Sequence, residues 1–300
     1  MPLLREEAEK LSNNELVAGV IEEIIDRDDM FAVLPFVKSN SKAYVYNREK
    51  TLSEGEFLDP NDPVPEGAAT FEEVVTKLRI LAGDVDVDKF LEATMSDVTA
   101  QRAVQIAKKA KGLARKFHRT LATGDSTVNA KQFDGINKLV EATQVIDAGV
   151  NGNALSLSML DELLDAVPNG ADVIIMRSGT VRAFRSLLRA AGGTGPVEIM
   201  MENFGRPMLT HNGVPIIVND FLAGDEVKGT TPNTCSIYAA RLNEVDGLHG
   251  LYGGESAGIV VEDIGTVQNK DATRIRVKWY CGLALKSTKS LAAIRGVTNI

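Results

Sequence analysis

The clearest periodicity in the chain runs from Ser96 to about Ala122. Ile106, Ala110, Leu113, Phe117 and Leu121 recur three and four residues apart, so they share one helical stripe. Lys108, Lys111, Arg115 and Arg119 fall on the opposite face, with Lys109 and Lys116 on the flanks. Ser96 or Asp97 can cap the start, and Gly124 follows the end. At 1.5 Å per residue the pattern predicts a rod roughly 40 Å long. A second helical stripe, through Leu11, Leu16, Val17, Val20, Ile21, Ile24 and Ile25, predicts an amphipathic N-terminal helix over Glu6–Ile25.

Elsewhere the patterning changes period. Residues 38–67 have little apolar content and end in Pro60, Pro63 and Pro65; AYVYNREKTLSEGEFL predicts two strands in a projecting arm or hairpin. FEEVVTKLRIL fits a short helix or a strand. From Phe133 onward the chain reads as α/β. SLSMLDELLDAV is a helix, ADVIIM a buried strand, and GTVRAFRSLLRAA a helix ended by Gly192 and Gly193. RPMLTHNGVPIIVND is a hairpin turning at Asn212-Gly213. Strands follow at CSIYAARL, AGIVVED and TRIRVKWYCGLAL. The last alternates Arg274, Arg276 and Lys278 with Ile275, Val277 and Trp279.

Composition narrows the class. In 300 residues, 44% are hydrophobic and 25% charged, enough for a packed core. No apolar run approaches the roughly 18–20 residues that span a bilayer, and MPLLREEAEKLSNNEL lacks the apolar region of a secretory signal. Cys235 and Cys281 are too few for a disulfide framework, so a reducing compartment is expected and both read as small buried hydrophobes. The net charge of −8 argues against a dedicated nucleic-acid reader. Its distribution is uneven: residues 1–30 carry nine acids and three bases, residues 101–120 seven bases and no acid, and residues 270–295 seven bases and one acid. Such asymmetry is usual for solvated faces and can also mark surfaces that meet partners; acidic 1–30 and basic 270–295 have opposite balances, which suits docking by charge.

No catalytic constellation emerges. Gly254-Glu255-Ser256-Ala257-Gly258 matches the nucleophile elbow of hydrolases, but IVVEDIG after it is strand-like and all three histidines precede Ser256. Gly192-Gly193-Thr194-Gly195 lacks the Lys and the strand of a phosphate-binding loop. Asp84, Asp86 and Asp88 alternate as in a calcium loop, yet its sixth and twelfth positions hold Lys89 and Met95. Asp161, Glu162 and Asp165 sit on an exposed helix face. His118, His211 and His249 have no cysteine pair with which to hold zinc. No cofactor, metal or catalytic residue is assigned.

The order of parts has a resemblance of its own. The helix with its Ala-Thr-Gly-Asp exit is followed by Gln132-Phe133-Asp134-Gly135-Ile136-Asn137-Lys138-Leu139, by Leu160–Val167 before ADVIIM, by Asn212-Gly213-Val214-Pro215-Ile216 and by Cys235-Ser236-Ile237-Tyr238. Arg276-Val277-Lys278-Trp279-Tyr280 closes the series. The whole resembles the major capsid proteins of tailed bacteriophages, the α+β Hong Kong 97 type capsid fold. The resemblance implies an N-arm over 1–37 and an extended loop over 38–69 that lies across a neighbouring subunit. It implies a peripheral domain over 70–135 and 255–285 with a spine helix at 96–122, and an axial domain over 136–254 and 286–300. Lys42, Tyr44, Tyr46, Arg48, Lys50 and Phe57 would make intersubunit contacts, and Lys108, Lys111, Arg115 and Arg119 would face DNA or a partner.

The partners implied are further copies in hexamers and pentamers, portal and cement proteins, packaged DNA held non-specifically, and a separate scaffolding protein or none, with no maturation cleavage. No membrane is involved. The location implied is the virion capsid, assembled in the host bacterial cytoplasm. Lys42 and Lys50 lie where some members crosslink a loop lysine to a neighbour's Asn, but no partner Asn or catalytic Glu is matched. An encapsulin-type nanocompartment shell shares the fold and is the nearest alternative, and a hydrolase using Ser256 the more distant one.

Overall fold

The computed structural model describes residues 30–59, 64, 66–90, 98–190, 198–200, 207–255 and 258–299. The elements in chain order are α1 (Met30–Val33), β1 (Phe36–Lys38), β2 (Ala43–Thr51), β3 (Thr70–Lys77), β4 (Arg79–Asp88), α2 (Val98–Thr123), α3 (Ile136–Leu139) and β5 (Val145–Asp147). Then follow α4 (Leu157–Asp165), β6 (Val173–Met176), α5 (Ser178–Ala190), β7 (Glu198–Met200), β8 (Pro207–His211), β9 (Val214–Val218), β10 (Glu226–Lys228) and β11 (Thr231–Ala240). The last four are β12 (Leu248–Tyr252), β13 (Val260–Thr266), β14 (Ala272–Leu285) and β15 (Leu291–Val297).

The long helix is present as α2. Leu113, Phe117 and Leu121 are buried, whereas Ile106 and Ala110 at its start are half-buried. Ser96, Asp97, the N-terminal stripe over Glu6–Ile25 and the glycines after α5 lie outside the described residues. The spine helix packs on a five-stranded sheet built around β14. There β4 and β13 flank β14 along Thr273–Lys278, and β12 pairs with Cys281–Leu285. β1 adds parallel to β12, with Phe36 opposite Gly250. Phe117 of α2 and Trp279 of β14 are both buried, their ring centroids 4.5 Å apart, and Phe36 and Phe133 pack around Phe117 at 6.2 and 5.4 Å.

A mixed sheet runs β5-β15-β11-β6-β9-β8-β7, with β10 on β11. All four residues of β6 are buried because both sheet faces are covered. Ile174 and Met176 meet Leu160 and Leu163 of α4 and Val181 and Phe184 of α5. Val173 and Ile175 belong to the core that includes Phe117 and Trp279. Period-two alternation thus sends successive side chains into two cores. The turn between β8 and β9 has φ of 50° at Asn212 and 83° at Gly213, both positive as a type I′ turn requires. Ser156 caps α4, its hydroxyl accepting from the Met159 N–H at 3.3 Å.

One expectation is overturned. AYVYNREKTLSEGEFL holds one strand, β2, not two, because Leu52–Leu58 has no ladder partner among the described residues. The return strand is β3, from FEEVVTK, pairing Tyr44 with Thr76, Tyr46 with Val74 and Arg48 with Glu72.

Candidate assembly surface

The β2–β3 hairpin is two-faced by strand alternation. Tyr44, Tyr46, Arg48, Val74 and Thr76 are half-buried, while Val45, Asn47, Glu49, Phe71, Glu73 and Val75 are exposed. The inner face is tied to its own chain. Tyr46 Oη donates to the Leu285 carbonyl at 2.6 Å. Arg48 Nε donates to the Lys286 carbonyl at 2.8 Å, and its Nη2 to the Leu285 carbonyl at 2.9 Å. The Tyr44 ring meets buried His249 edge-on at 5.7 Å, and Lys286 Nζ lies 5.8 Å from the Tyr44 ring centre. Burial raises the Tyr46 hydroxyl pKa and lowers that of His249.

The six expected contact residues therefore divide. Tyr44, Tyr46 and Arg48 are anchors at the hairpin base. Lys42, Lys50 and Phe57 are exposed, Phe57 completely. Val45, Leu52, Phe57, Leu58, Val64, Phe71, Val75 and Ile80 are 8 of the 15 exposed large apolar side chains among the described residues. Phe71 and Val75 escaped the sequence reading, although the Phe71, Glu73, Val75 alternation in FEEVVTK marks a strand with one face in water. His249 was missed too, since no pattern in the sequence shows which loop will cover it.

The spine cations are less open than their stripe suggests. Lys108, Lys111 and Arg115 are half-buried and Arg119 is exposed. The Arg115 and Arg119 guanidinium carbons both lie 5.7 Å from the Phe221 ring centre, so these two arginines cover an aromatic side chain of the loop after β9.

The cationic face of β14 is also answered from within. Arg274 Nε and Nη2 donate to Asp86 at 2.6 and 2.8 Å, and Lys278 Nζ reaches Glu262 at 2.5 Å. Of the alternating aspartates of the rejected calcium loop, Asp84 and Asp86 are strand residues that face Arg276 and Arg274, and Asp88 accepts from the Phe90 N–H. Pairing in this ladder leaves less charge in 270–295 for an acidic N-terminal segment to meet.

Cys235 and Cys281 are buried, and burial pushes the Cys281 thiol up to about 12. Asp161 is held by the Asn212 side-chain amide, which donates at 2.8 Å, and lies 2.9 Å from His211 Nε2. Ser256 lies outside the described residues. The element after it is strand β13, where an elbow needs a helix, so the hydrolase reading ends there. Among the described residues no group of three or more His, Cys, Asp or Glu side chains is placed to hold a metal ion, and no helix is long and apolar enough to cross a membrane.

The α+β arrangement of projecting hairpin, spine helix on a β14-centred sheet and helix-covered mixed sheet is the Hong Kong 97 type capsid fold. The chain is similar to the holo-SrpI encapsulin complex of Synechococcus elongatus PCC 7942, at 20% identity and a TM-score of 0.72, covering 99% of this chain and 96% of that one. It is similar to the capsid of an empty GTA particle at 13% identity and TM-score 0.68, with 98% of each chain covered. Microbacterium phage Oxtober96 gives 12% identity and TM-score 0.64 over 97% of this chain and 98% of that one. No family model and no curated protein matches the sequence.

Proposed function

We propose that this chain is the major capsid protein of a tailed bacteriophage, assembling through hexamers and pentamers into an icosahedral shell around double-stranded DNA. The observation that carries the reading is coverage: shell subunits match nearly end to end in both directions. The hairpin fits it, because an apolar outer face on a projecting element is stable only when another surface covers it. Heterologous contacts close into rings, and a subunit tied to several neighbours gains from multivalency even when each contact is modest.

In this reading residues 1–37 are the N-arm and 38–69 the extended loop. Residues 70–135 with 255–285 form the peripheral domain, and 136–254 with 286–300 the axial domain. Lys42, Lys50 and Phe57 touch the neighbour directly, and Tyr44, Tyr46 and Arg48 set the angle of the hairpin that presents them. Lys108, Lys111, Arg115 and Arg119 are the surface for DNA phosphates or a partner. The protein is structural rather than catalytic, resides in the virion after assembly in the bacterial cytoplasm, and works with portal, scaffolding and cement proteins.

A second reading, an encapsulin-type shell around protein cargo, is favoured by the 20% identity to the SrpI encapsulin. Negative-stain electron microscopy of the protein, alone and expressed with its neighbouring genes, tests both. Uniform shells with nuclease-resistant DNA support the phage capsid. Shells holding protein and no DNA support the encapsulin. Monomers alone under both conditions overturn the shell reading.

A further inference from the structure

One face of the mixed sheet is covered by two helices of opposite outward charge. On α5, Thr180, Val181 and Phe184 turn into the sheet, and Arg182, Arg185 and Arg189 are exposed on the far side. On α4, Leu160 and Leu163 are buried, and Asp161, Glu162 and Asp165 are exposed. Asp161 is engaged by His211 and Asn212. Among the described residues Glu162, Asp165, Arg185 and Arg189 form no ion pair, so these four charges do not neutralise one another.

Beside the arginine stripe lies a groove of about 480 Å³. Its α5 wall includes Gly179, Ala183, Ser186 and Ala190, spaced four, three and four residues apart along one line of the helix, beside the larger Leu187, and Arg182 and Arg189 form part of its lining. Side chains this small let a second helix approach closely. The shape suits a helix and the lining charge suits an acidic one.

We infer that this groove receives helix α4 of a second copy, so that the arginines of one subunit meet Glu162 and Asp165 of the next. The inference rests on the shell reading and names the contact that would join subunits around a ring. A twofold contact can set each patch against the unlike patch of one partner, but it closes at a dimer and leaves nothing to join further copies. A head-to-tail contact pairs unlike patches, and repetition with rotation closes a ring. Nucleic acid fits less well, because the α4 carboxylates on the same face repel phosphates and the chain carries a net charge of −8.

The test is a charge exchange in the full chain, read as the protein concentration at which shells or rings first form, by sedimentation and electron microscopy. Arg182→Glu with Arg189→Glu, the two arginines that line the groove, and separately Glu162→Lys with Asp165→Lys, should each raise that concentration roughly tenfold. The quadruple variant should return it close to the wild-type value. All four positions are exposed, and circular dichroism of the unassembled proteins checks that each variant folds. Mixing the two double variants adds a second readout, since each retains one intact patch and alternation around a ring restores contacts.

Wild-type shells with no rescue in the quadruple variant overturn this contact and leave the shell reading standing. Wild-type protein that never assembles overturns both. Normal shells from the arginine variant that lose their nuclease-resistant DNA assign the stripe to nucleic acid instead.

Discussion

Asp84 and Arg276 face each other across β4 and β14, the guanidinium Nε and Nη2 donating to the two carboxylate oxygens at 2.8 and 2.9 Å. Arg274 and Asp86 repeat the arrangement two residues along, and the Asp86 side chain is only 8% exposed. Hydrogen bonds from the arginines hold both carboxyls below the usual aspartate range. A depressed folded pKa means the unfolded chain binds the extra protons. The stabilisation is therefore complete above about pH 4 and lost as pH falls through the folded values. Thermal melts of the unassembled protein between about pH 5 and 2.5 should show a steep acid limb that flattens in Asp84→Asn/Asp86→Asn. An unchanged limb in that variant assigns acid sensitivity to other groups.

Phe117 ties the spine helix to the β14-centred sheet through Trp279. Both rings are buried, so Phe117→Ala leaves a cavity that the packed sheet cannot collapse. The expected loss is about 3–5 kcal/mol in urea unfolding, with Phe117→Leu costing less. Equal losses in the two variants would mean that the ring's volume is not what holds the helix down.

Periodicity made the long helix, the α4 and α5 stripes, the β8–β9 turn and the alternating β14 legible from the residues, because each is a local pattern that burial then used. The hairpin was legible as a projection but not in its pairing. β2 finds its partner about twenty-five residues on, across a stretch with three prolines, and strand pairing is a non-local choice that propensity does not encode. The short strands β1, β5 and β12 and the Ala- and Gly-containing β15 also escaped, because each is strand only by virtue of its neighbour. Site residues divided for a similar reason. A basic stripe on a helix reads as an open surface until the fold sets Phe221 beneath Arg115 and Arg119, and Tyr46 and Arg48 find backbone carbonyls that no motif announces.

Arg48 and Tyr46 converge on the Leu285 carbonyl, and Arg48 alone reaches that of Lys286. Tyr46→Phe should cost about 1 kcal/mol, because Arg48 still satisfies Leu285. Arg48→Ala removes two donors and should release the hairpin while the cores stay intact. Hydrogen exchange in residues 43–51 and 70–77 should accelerate with little change in β6 or β11, and shell formation should fall. Equal acceleration in the core strands would show instead that Arg48 supports the whole fold.

His249 sits under that same hairpin, so its protonation bears on how firmly the hairpin is held. Its Nδ1 lies 3.3 Å from the Gly247 carbonyl, and its Nε2 is buried without a hydrogen-bond partner among the described residues. The Tyr44 ring covers it, and the nearby Lys286 ammonium disfavours a second positive charge, while Glu244 pulls the other way. Burial dominates and the folded pKa lies below 6.5. The unfolded chain then takes up a proton first, so stability is fully present above about pH 6.5 and declines as pH falls through the folded value. His249→Phe keeps a ring beneath Tyr44 and removes the titration. Exchange protection of residues 43–51, compared at about pH 7.5 and 5.5, should fall in the wild type and hold steady in the variant. A parallel fall in both proteins would assign the pH response to the chain at large.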